Sequence, residues 1–240
     1  MAAGISPEQV LNLGYFDGTL SSMYSSNPAP IMNSDNFLSG MNTFRKQNIS
    51  SYKKDLTGAS DWPSFIANLK SVIRKYQPDV IVTPYPALDN HPDHKCASIA
   101  VFQALKELNI QKGALFLYSN HYVLNEYYPY GPSETLVTLP PNFKENIYFN
   151  SIYSNPLSFV QQKDKYLALE SMYALRSSTE WQSWQRSLRR TLSFLKKQIF
   201  VHDYSYYRRA VRNNELFFVV PIQDLSDSLV VKKLVNTNFK

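Results

Sequence analysis

A succession of helix, strand, loop, helix and strand between residues 61 and 118 constrains the fold more than any other feature. After Asp61 and Pro63, apolar residues recur at spacings of three and four and predict a helix with one buried face. The β-branched run at 80–83 is typical of a buried parallel strand. A second helix is predicted after His91, and a second strand at 114–118. This order predicts an α/β fold with a mostly parallel sheet and flanking helices.

The rest of the chain has a less regular pattern. Residues 135–139 and 147–149 predict short strands, 156–176 a helix, and 215–220 a final strand. Ser177 and Glu180 form a capping-box pattern, which opens a further predicted helix. Residues 21–60 are rich in Ser and Asn, so we expect a long loop or insertion with a short helix at most. We expect one domain over residues 1–222 and a C-terminal tail over 223–240.

The composition restricts the class of protein. Hydrophobic residues make up 44% of the 240, which excludes disorder as the main state. No apolar run reaches the roughly 18 residues of a membrane helix, and no signal peptide is recognisable, so no transmembrane segment is predicted. The single cysteine, Cys96, excludes an internal disulfide and fits a reducing compartment. A cytoplasmic location is therefore expected.

The net charge of +6 is concentrated in one stretch, because residues 163–212 contain 11 basic and 4 acidic residues. Such a stretch can bind nucleic acid or acidic lipid head groups, but it is more often a solvated helix face. RNA-binding signatures are absent, so nucleic acid is not an expected partner. Trp181 and Trp184 could stack on sugars, although their spacing also fits the core side of a helix.

The segment most informative about function is His91-Pro92-Asp93-His94. Pro92 fits the first position of a helix, which makes His91 the predicted N-cap. The free N–H groups and positive dipole end of the first turn favour a carboxylate at Asp93 and a neutral imidazole at His94, as metal binding requires. The loop follows a buried strand, where sites form in α/β sheets. In the simpler alternative, His91 only caps the helix and His94 is a core or surface residue.

These residues resemble the second motif of the PIG-L (LmbE-like) zinc-dependent N-deacetylases. Residues 78–84, His91-Pro92-Asp93-His94 and the Ala-rich helix that follows carry the sharpest part of the resemblance. Residues 13–20, Leu-Gly-Tyr-Phe-Asp-Gly-Thr-Leu, resemble the family's LGYxDG segment. Residues 165–178 and 214–217 resemble its late helix and closing strand.

The resemblance implies a Rossmann-like fold and a hydrolase that removes an N-acetyl group from an amino sugar, such as an N-acetylglucosamine derivative. Zinc would polarise the acetyl carbonyl and activate a water. By the same resemblance, His94 binds the metal, and His91 stabilises the oxyanion or donates a proton. Asp93 would orient an imidazole, and Asp17 would lie near the sugar hydroxyls. The implied partner is a small-molecule or glycoconjugate substrate.

The family's first motif, Ala-His-Pro-Asp-Asp-Glu, is absent from the sequence, and with it two metal ligands and the catalytic base. We therefore expect the N-terminal strands of the family fold to be missing as well. Because a catalytic zinc takes three protein ligands, we expect zinc in the full-length family member and an inactive truncated chain here. His121 and His202 are interpreted as structural or surface residues. The alternative is a non-catalytic module, derived from the same fold, that binds carbohydrate or a polyanion.

Overall fold

The computed structural model describes residues 4–27, 29, 41–122, 128–132, 135–140, 147–171 and 209–235. The chain divides into two compact units. The larger contains Ile5–Glu126, Pro141–Tyr153 and Phe217–Lys240, and the smaller contains Met1–Gly4, Tyr127–Pro140 and Ser154–Leu216. The elements are α1 (Leu20–Ser26), α2 (Met41–Lys46), α3 (Trp62–Tyr76), β1 (Val80–Pro84), α4 (Pro92–Glu107), β2 (Ala114–Tyr118), β3 (Ser151–Pro156), α5 (Phe159–Ser171), β4 (Asn214–Pro221) and α6 (Ser228–Val235).

Helices α3 and α4 form where the sequence predicts them. The backbone N–H of Ser64 donates to Asp61 Oδ1 at 2.7 Å, so Asp61 caps α3. His91 has the extended backbone of an N-cap, with φ −80° and ψ 124°, and Pro92 follows as the first residue of α4. The two helices pack together, and the indole of Trp62 donates to Gln103 Oε1 at 2.9 Å.

The sheet is mixed. Strands β1 and β2 are parallel, with Val80 opposite Ala114 and Pro84 opposite Tyr118. Strand β4 joins β2 in the antiparallel sense, and the order is β1-β2-β4-β3. The α/β class with flanking helices is confirmed, but the sheet is not mostly parallel. A parallel pair needs a crossover that returns the chain to the same end of the sheet, and among the described elements only α4 makes one.

The core lies between the helices and one face of this sheet. Leu115, Leu117 and Val220 have no exposed surface, and Phe218 has 2%. Their alternation with half-buried neighbours follows the two-residue period of a strand. Helix α4 buries Ala100 and Ala104 completely, and these small side chains allow the close approach of α4 to β1. The parallel pair and α4 therefore form the rigid base under the loop that contains the histidines.

The short strands predicted at 135–139 and 147–149 are wrong, because side chains take the backbone hydrogen bonds that a ladder would have used. The amide side chain of Asn214 pairs with the N–H and C=O of Val137. The Tyr85 hydroxyl pairs with the C=O and N–H of Tyr148. The helix predicted at 156–176 is α5 in its described part, and the helix predicted after Ser177 lies outside the described residues.

In their described residues, the stretch before α3 and the stretch after β4 contain more secondary structure than the sequence pattern indicated. The stretch 21–60 contains α2, most of α1 and the 3₁₀ turn Ser51–Asp55. The predicted tail contains α6 and most of the 3₁₀ turn Ile222–Ser226, and it buries Leu225 and Leu234. The domain boundary near residue 222 stays a prediction. Among the described residues, no helix has the length and apolar character needed to cross a membrane.

Candidate functional site

The loop between β1 and α4 is held in place at several backbone positions. The Tyr85 N–H donates to Tyr118 O at 2.7 Å, which extends the parallel pairing by one residue. The N–H of Asp89 donates to Tyr85 O at 2.9 Å, and the N–H of Asn90 donates to His121 O at 2.8 Å. The N–H of Ala87 donates to a carbonyl of α6, that of Leu234, at 3.1 Å. The loop therefore has a defined shape before any ligand binds.

Asp89 is the hydrogen-bond centre of this loop and is completely buried. Its Oδ1 accepts from the N–H of His91 at 2.8 Å, and its Oδ2 lies 3.1 Å from Nδ1 of His94 and 3.5 Å from the N–H of His121. Burial alone would raise the pKa of the Asp89 carboxyl. The hydrogen bonds from His94, His91 and His121, together with the charge of His94, outweigh burial and hold that pKa below its ordinary value.

His94 is fixed by the same contact. Its hydrogen bond to Asp89 raises the pKa of the imidazole; burial opposes this, and the negative charges of Asp89, Asp93 and Asp17 add to it. With the proton on Nδ1 held by the carboxylate, Nε2 is the ring nitrogen left for a ligand or a proton. This arrangement is what a histidine needs in order to bind a metal or to transfer a proton in one fixed orientation.

Three of the four histidines lie together, which the sequence did not predict. The ring centroids are 4.6 Å apart for His91 and His94, 5.3 Å for His94 and His121, and 6.1 Å for His91 and His121. His121, which is interpreted from the sequence as a structural or surface residue, therefore lies beside the two histidines of the His91-Pro92-Asp93-His94 motif. His202 lies outside the described residues. Nδ1 of His91 is buried and has no hydrogen-bond partner among the residues that the structure describes.

The proximity of these rings does not amount to a complete metal site. Across the described part of the chain, no group of three His, Cys, Asp or Glu side chains has an arrangement that could hold a metal ion. A catalytic zinc takes three protein ligands and a water. The described residues alone therefore do not fit the zinc that the family resemblance implies, even though His94 offers one suitable nitrogen.

Among the described residues, Asp93 accepts hydrogen bonds from backbone N–H groups rather than from an imidazole, and its predicted role in orienting an imidazole stays a prediction. Its Oδ2 accepts from the N–H of Gly18 at 2.5 Å, and its Oδ1 accepts from the N–H of Leu20 at 3.1 Å. The carboxylate that orients an imidazole is Asp89, which sequence reasoning missed. The available signal was its position in the loop after the β-branched strand, two residues before the helix cap.

A cavity of about 330 Å³ lies next to Asp93. Asp17 and Asp93 supply its carboxylates. Its other lining residues are Asn12, Leu13, Gly14, Tyr15, Phe16, Leu20 and Phe65. The cavity combines apolar and aromatic walls with a few polar groups, as small-molecule sites do. The structure thus places Asp17 and Asp93 at one cavity, with His94 directly after Asp93 in the first turn of α4.

Comparison with known families gives a match in the same region. Residues 1–105 match the family model PIG-L, described as GlcNAc-PI de-N-acetylase. The resemblance to the PIG-L family is confirmed. The match includes the 13–20 segment and the motif from His91 to His94, and therefore the cavity residues and the two histidines of the motif. The PIG-L match ends before β2, so the late helix and closing strand lie beyond it. No curated protein matches the chain.

Solved structures that resemble the chain include two deacetylases. One is the zinc-inhibited form of teicoplanin deacetylase Orf2, with 20% identity, a TM-score of 0.36, and 66% of this chain and 51% of that one covered. Another is the A40926 pseudoaglycone deacetylase Dbv21, with 18% identity, a TM-score of 0.35, and 70% and 62% covered. The chain therefore spans between about half and three fifths of the length of these structures.

Proposed function

We propose that this chain carries the substrate side of a PIG-L-type de-N-acetylase site, which acts on the N-acetyl amide of an amino sugar such as an N-acetylglucosamine derivative. The observation that supports it most directly is the cavity with Asp17 and Asp93 beside the ordered His94, all inside the region that matches the family. Sugar rings have apolar faces and hydroxyl edges, and this cavity offers Phe65 and Phe16 for the former and carboxylates for the latter.

Each site residue has a role in this proposal. Asp17, which is exposed at the cavity, accepts hydrogen bonds from sugar hydroxyls. His91 donates a hydrogen bond or a proton to the amide oxygen as negative charge develops on it, a role taken from the match of His91-Pro92-Asp93-His94 to the family motif. Asp89 keeps the His94 ring in one orientation. In this family, zinc supplies a polarised carbonyl and an activated water, but the described residues of this chain do not complete a zinc ligand set.

The direct test is release of acetate from N-acetylglucosamine and its glycosides by the full chain, with zinc added or with a chelator present. The missing first motif predicts little or no turnover by the chain alone, and any turnover that added zinc supports is expected to fall at least about tenfold in Asp17→Asn and in His94→Ala. Asp79→Asn is the matched control, because Asp79 is an exposed aspartate at the opposite end of β1 from the loop, and it is expected to leave turnover unchanged. Measurable turnover that is equal in wild type, Asp17→Asn and His94→Ala would refute the assignment.

Binding of N-acetylglucosamine without release of acetate would distinguish the proposed enzyme site from a carbohydrate-binding module. If N-acetylglucosamine binds and Asp17→Asn weakens that binding, but no acetate is released under any condition, the chain is the alternative, a non-catalytic carbohydrate-binding module. Metal content separates the cases further. Stoichiometric zinc that is lost in His94→Ala indicates a working ligand set that extends beyond the described residues. A cytoplasmic location and a glycoconjugate partner remain part of the proposal.

A further inference from the structure

The carboxylate of Asp93 joins two elements that are far apart in sequence. Asp93 is the second residue of α4, and its two oxygens accept from the backbone N–H groups of Gly18 and Leu20. Leu20 is the first residue of α1. One side chain in the first turn of α4 thus satisfies two N–H groups in the turn that leads into α1, and backbone N–H groups at such an entry have no partner within their own helix.

The bonded turn is the one that carries Asp17. Gly18 has a φ of +76°, in the left-handed region, and Thr19 closes the turn with a hydrogen bond from its hydroxyl to Phe16 O at 2.7 Å. Asp17 lies between the bonded N–H of Gly18 and the cavity-lining Phe16. The position of the Asp17 carboxylate therefore depends on where residues 16–20, the α1 entry turn, are held.

The two sides of this turn are held by different contacts. Before it, the N–H of Asn12 donates to Asn48 Oδ1 at 2.6 Å and the Arg45 guanidinium donates to Leu13 O at 2.9 Å. After it, α1 packs against α4, and Met23 of α1 is completely buried. The bonds of Asn12 and Arg45 do not involve Asp93, so in an Asp93 variant the segment before the turn keeps its contacts while the α1 entry turn loses its two bonds.

We propose that Asp93 is a positioning residue, which fixes the α1 entry turn to α4 and so sets the place of Asp17 in the cavity. This assigns Asp93 a role different from orienting an imidazole, which Asp89 performs. The functional part rests on the proposed function, since it takes Asp17 as the group that meets a ligand. The structural part, that the turn is held by Asp93, stands on the two hydrogen bonds alone.

Amide hydrogen exchange in the full chain tests the structural part. In Asp93→Ala, the amides of Gly18 and Leu20 are expected to exchange about tenfold faster, which is the scale of one net hydrogen bond. Asp93→Asn keeps one acceptor oxygen and is expected to fall between wild type and Asp93→Ala. The matched control is Asp61→Ala, which removes the cap of α3 and should speed exchange at Ser64 without changing Gly18. Unchanged exchange at Gly18 and Leu20 in Asp93→Ala would overturn the proposal.

Binding of N-acetylglucosamine as a probe tests the functional part through a double-mutant cycle. If Asp93 acts by placing Asp17, Asp93→Ala and Asp17→Asn each weaken binding by about tenfold, and the double variant is no weaker than the weaker single variant. If the affinity loss of the double variant instead equals the product of the two single losses, Asp93 does not act through Asp17 and the positioning role is overturned. If the wild-type chain does not bind the sugar, the proposed function fails, and the exchange rates alone then decide whether Asp93 holds the turn.

Discussion

Replacing Asp89 by alanine removes the acceptor on which the loop after β1 and the start of α4 converge. The side chain is completely buried, so no solvent replaces it directly. Loss of the carboxylate leaves the N–H of His91 and Nδ1 of His94 without the partners they have at 2.8 and 3.1 Å. A buried polar group that loses its partner costs about 1–3 kcal/mol.

The expected total is about 3 kcal/mol in the free energy of unfolding. The full cost applies to the His91 N–H, whereas the His94 side chain is 30% exposed and water can reach it, so its share lies at the low end. For a chain of this size, the melting temperature would fall by about 6–12 °C. Asp89→Asn keeps an acceptor for the His91 N–H and is expected to cost about 1–2 kcal/mol.

Urea denaturation followed by circular dichroism measures these differences, with Asp79→Ala as the control for loss of an exposed aspartate. The control should lie within about 0.5 kcal/mol of wild type. If Asp89→Ala also lies within that range, Asp89 does not organise the loop. An equal loss of unfolding free energy in Asp89→Asn and Asp89→Ala would also contradict this role, because the acceptor for the His91 N–H would then contribute nothing to stability.

The contribution of the pair to stability should depend on pH. The raised pKa of His94 means that its contribution is fully present below the ordinary histidine value of 6.5 and is lost as the pH rises through the folded-state pKa. The lowered pKa of Asp89 means that its contribution is present above the ordinary value of 3.8 and is lost as the pH falls through the folded-state pKa. The stability difference between wild type and Asp89→Asn is therefore expected to be largest between those two values, and a flat difference would contradict it.

Two further predictions concern glycine geometry and the buried thiol. Gly14→Ala should lower the free energy of unfolding by about 2 kcal/mol or more, because φ is +82° and the new Cβ would lie 2.7 Å from Met41 O. Gly18 has a similar φ of +76° but open space around the Cβ position, so Gly18→Ala should cost only about 1 kcal/mol. Equal unfolding free energies of the two variants would refute this prediction. Cys96 is completely buried and burial raises the pKa of its thiol to about 12, so a thiol reagent at pH 8 should react with it only as fast as the chain unfolds. Fast reaction in native conditions would contradict the burial of Cys96.

The parts of the structure that depend on local sequence could be predicted. The cap at Asp61, Pro92 after His91 and the strand β1 each depend on neighbouring residues, and all three occur where expected. The predicted burial of β1 is wrong, because β1 lies at the edge of the described sheet and Val80 and Val82 are exposed. The missed features depend on residues distant in sequence. His121 joins the motif because β2 ends beside β1, and a histidine 27 positions after His94 gives no local sign of that.

The same reason explains the two wrong strands and the role of Asp93. The β-branched and apolar residues at 135–139 do not show that Asn214, far along the chain, supplies the bonds of Val137. The sequence places Asp93 next to His94, but adjacent residues on a helix point in different directions. Its carboxylate reaches Gly18, which lies 75 positions earlier.

The bond from the Ala87 N–H to Leu234 O bears on how this chain can be divided. The family match ends at residue 105, which suggests a compact fragment for expression. Such a fragment would leave the histidine loop without the strand beside β1, without His121, and without a carbonyl supplied by the last described helix. The family match thus ends well before the last residue whose backbone bonds to the histidine loop. A fusion tag placed directly after residue 235 would be separated by a single residue from Leu234, whose carbonyl oxygen accepts from the histidine loop.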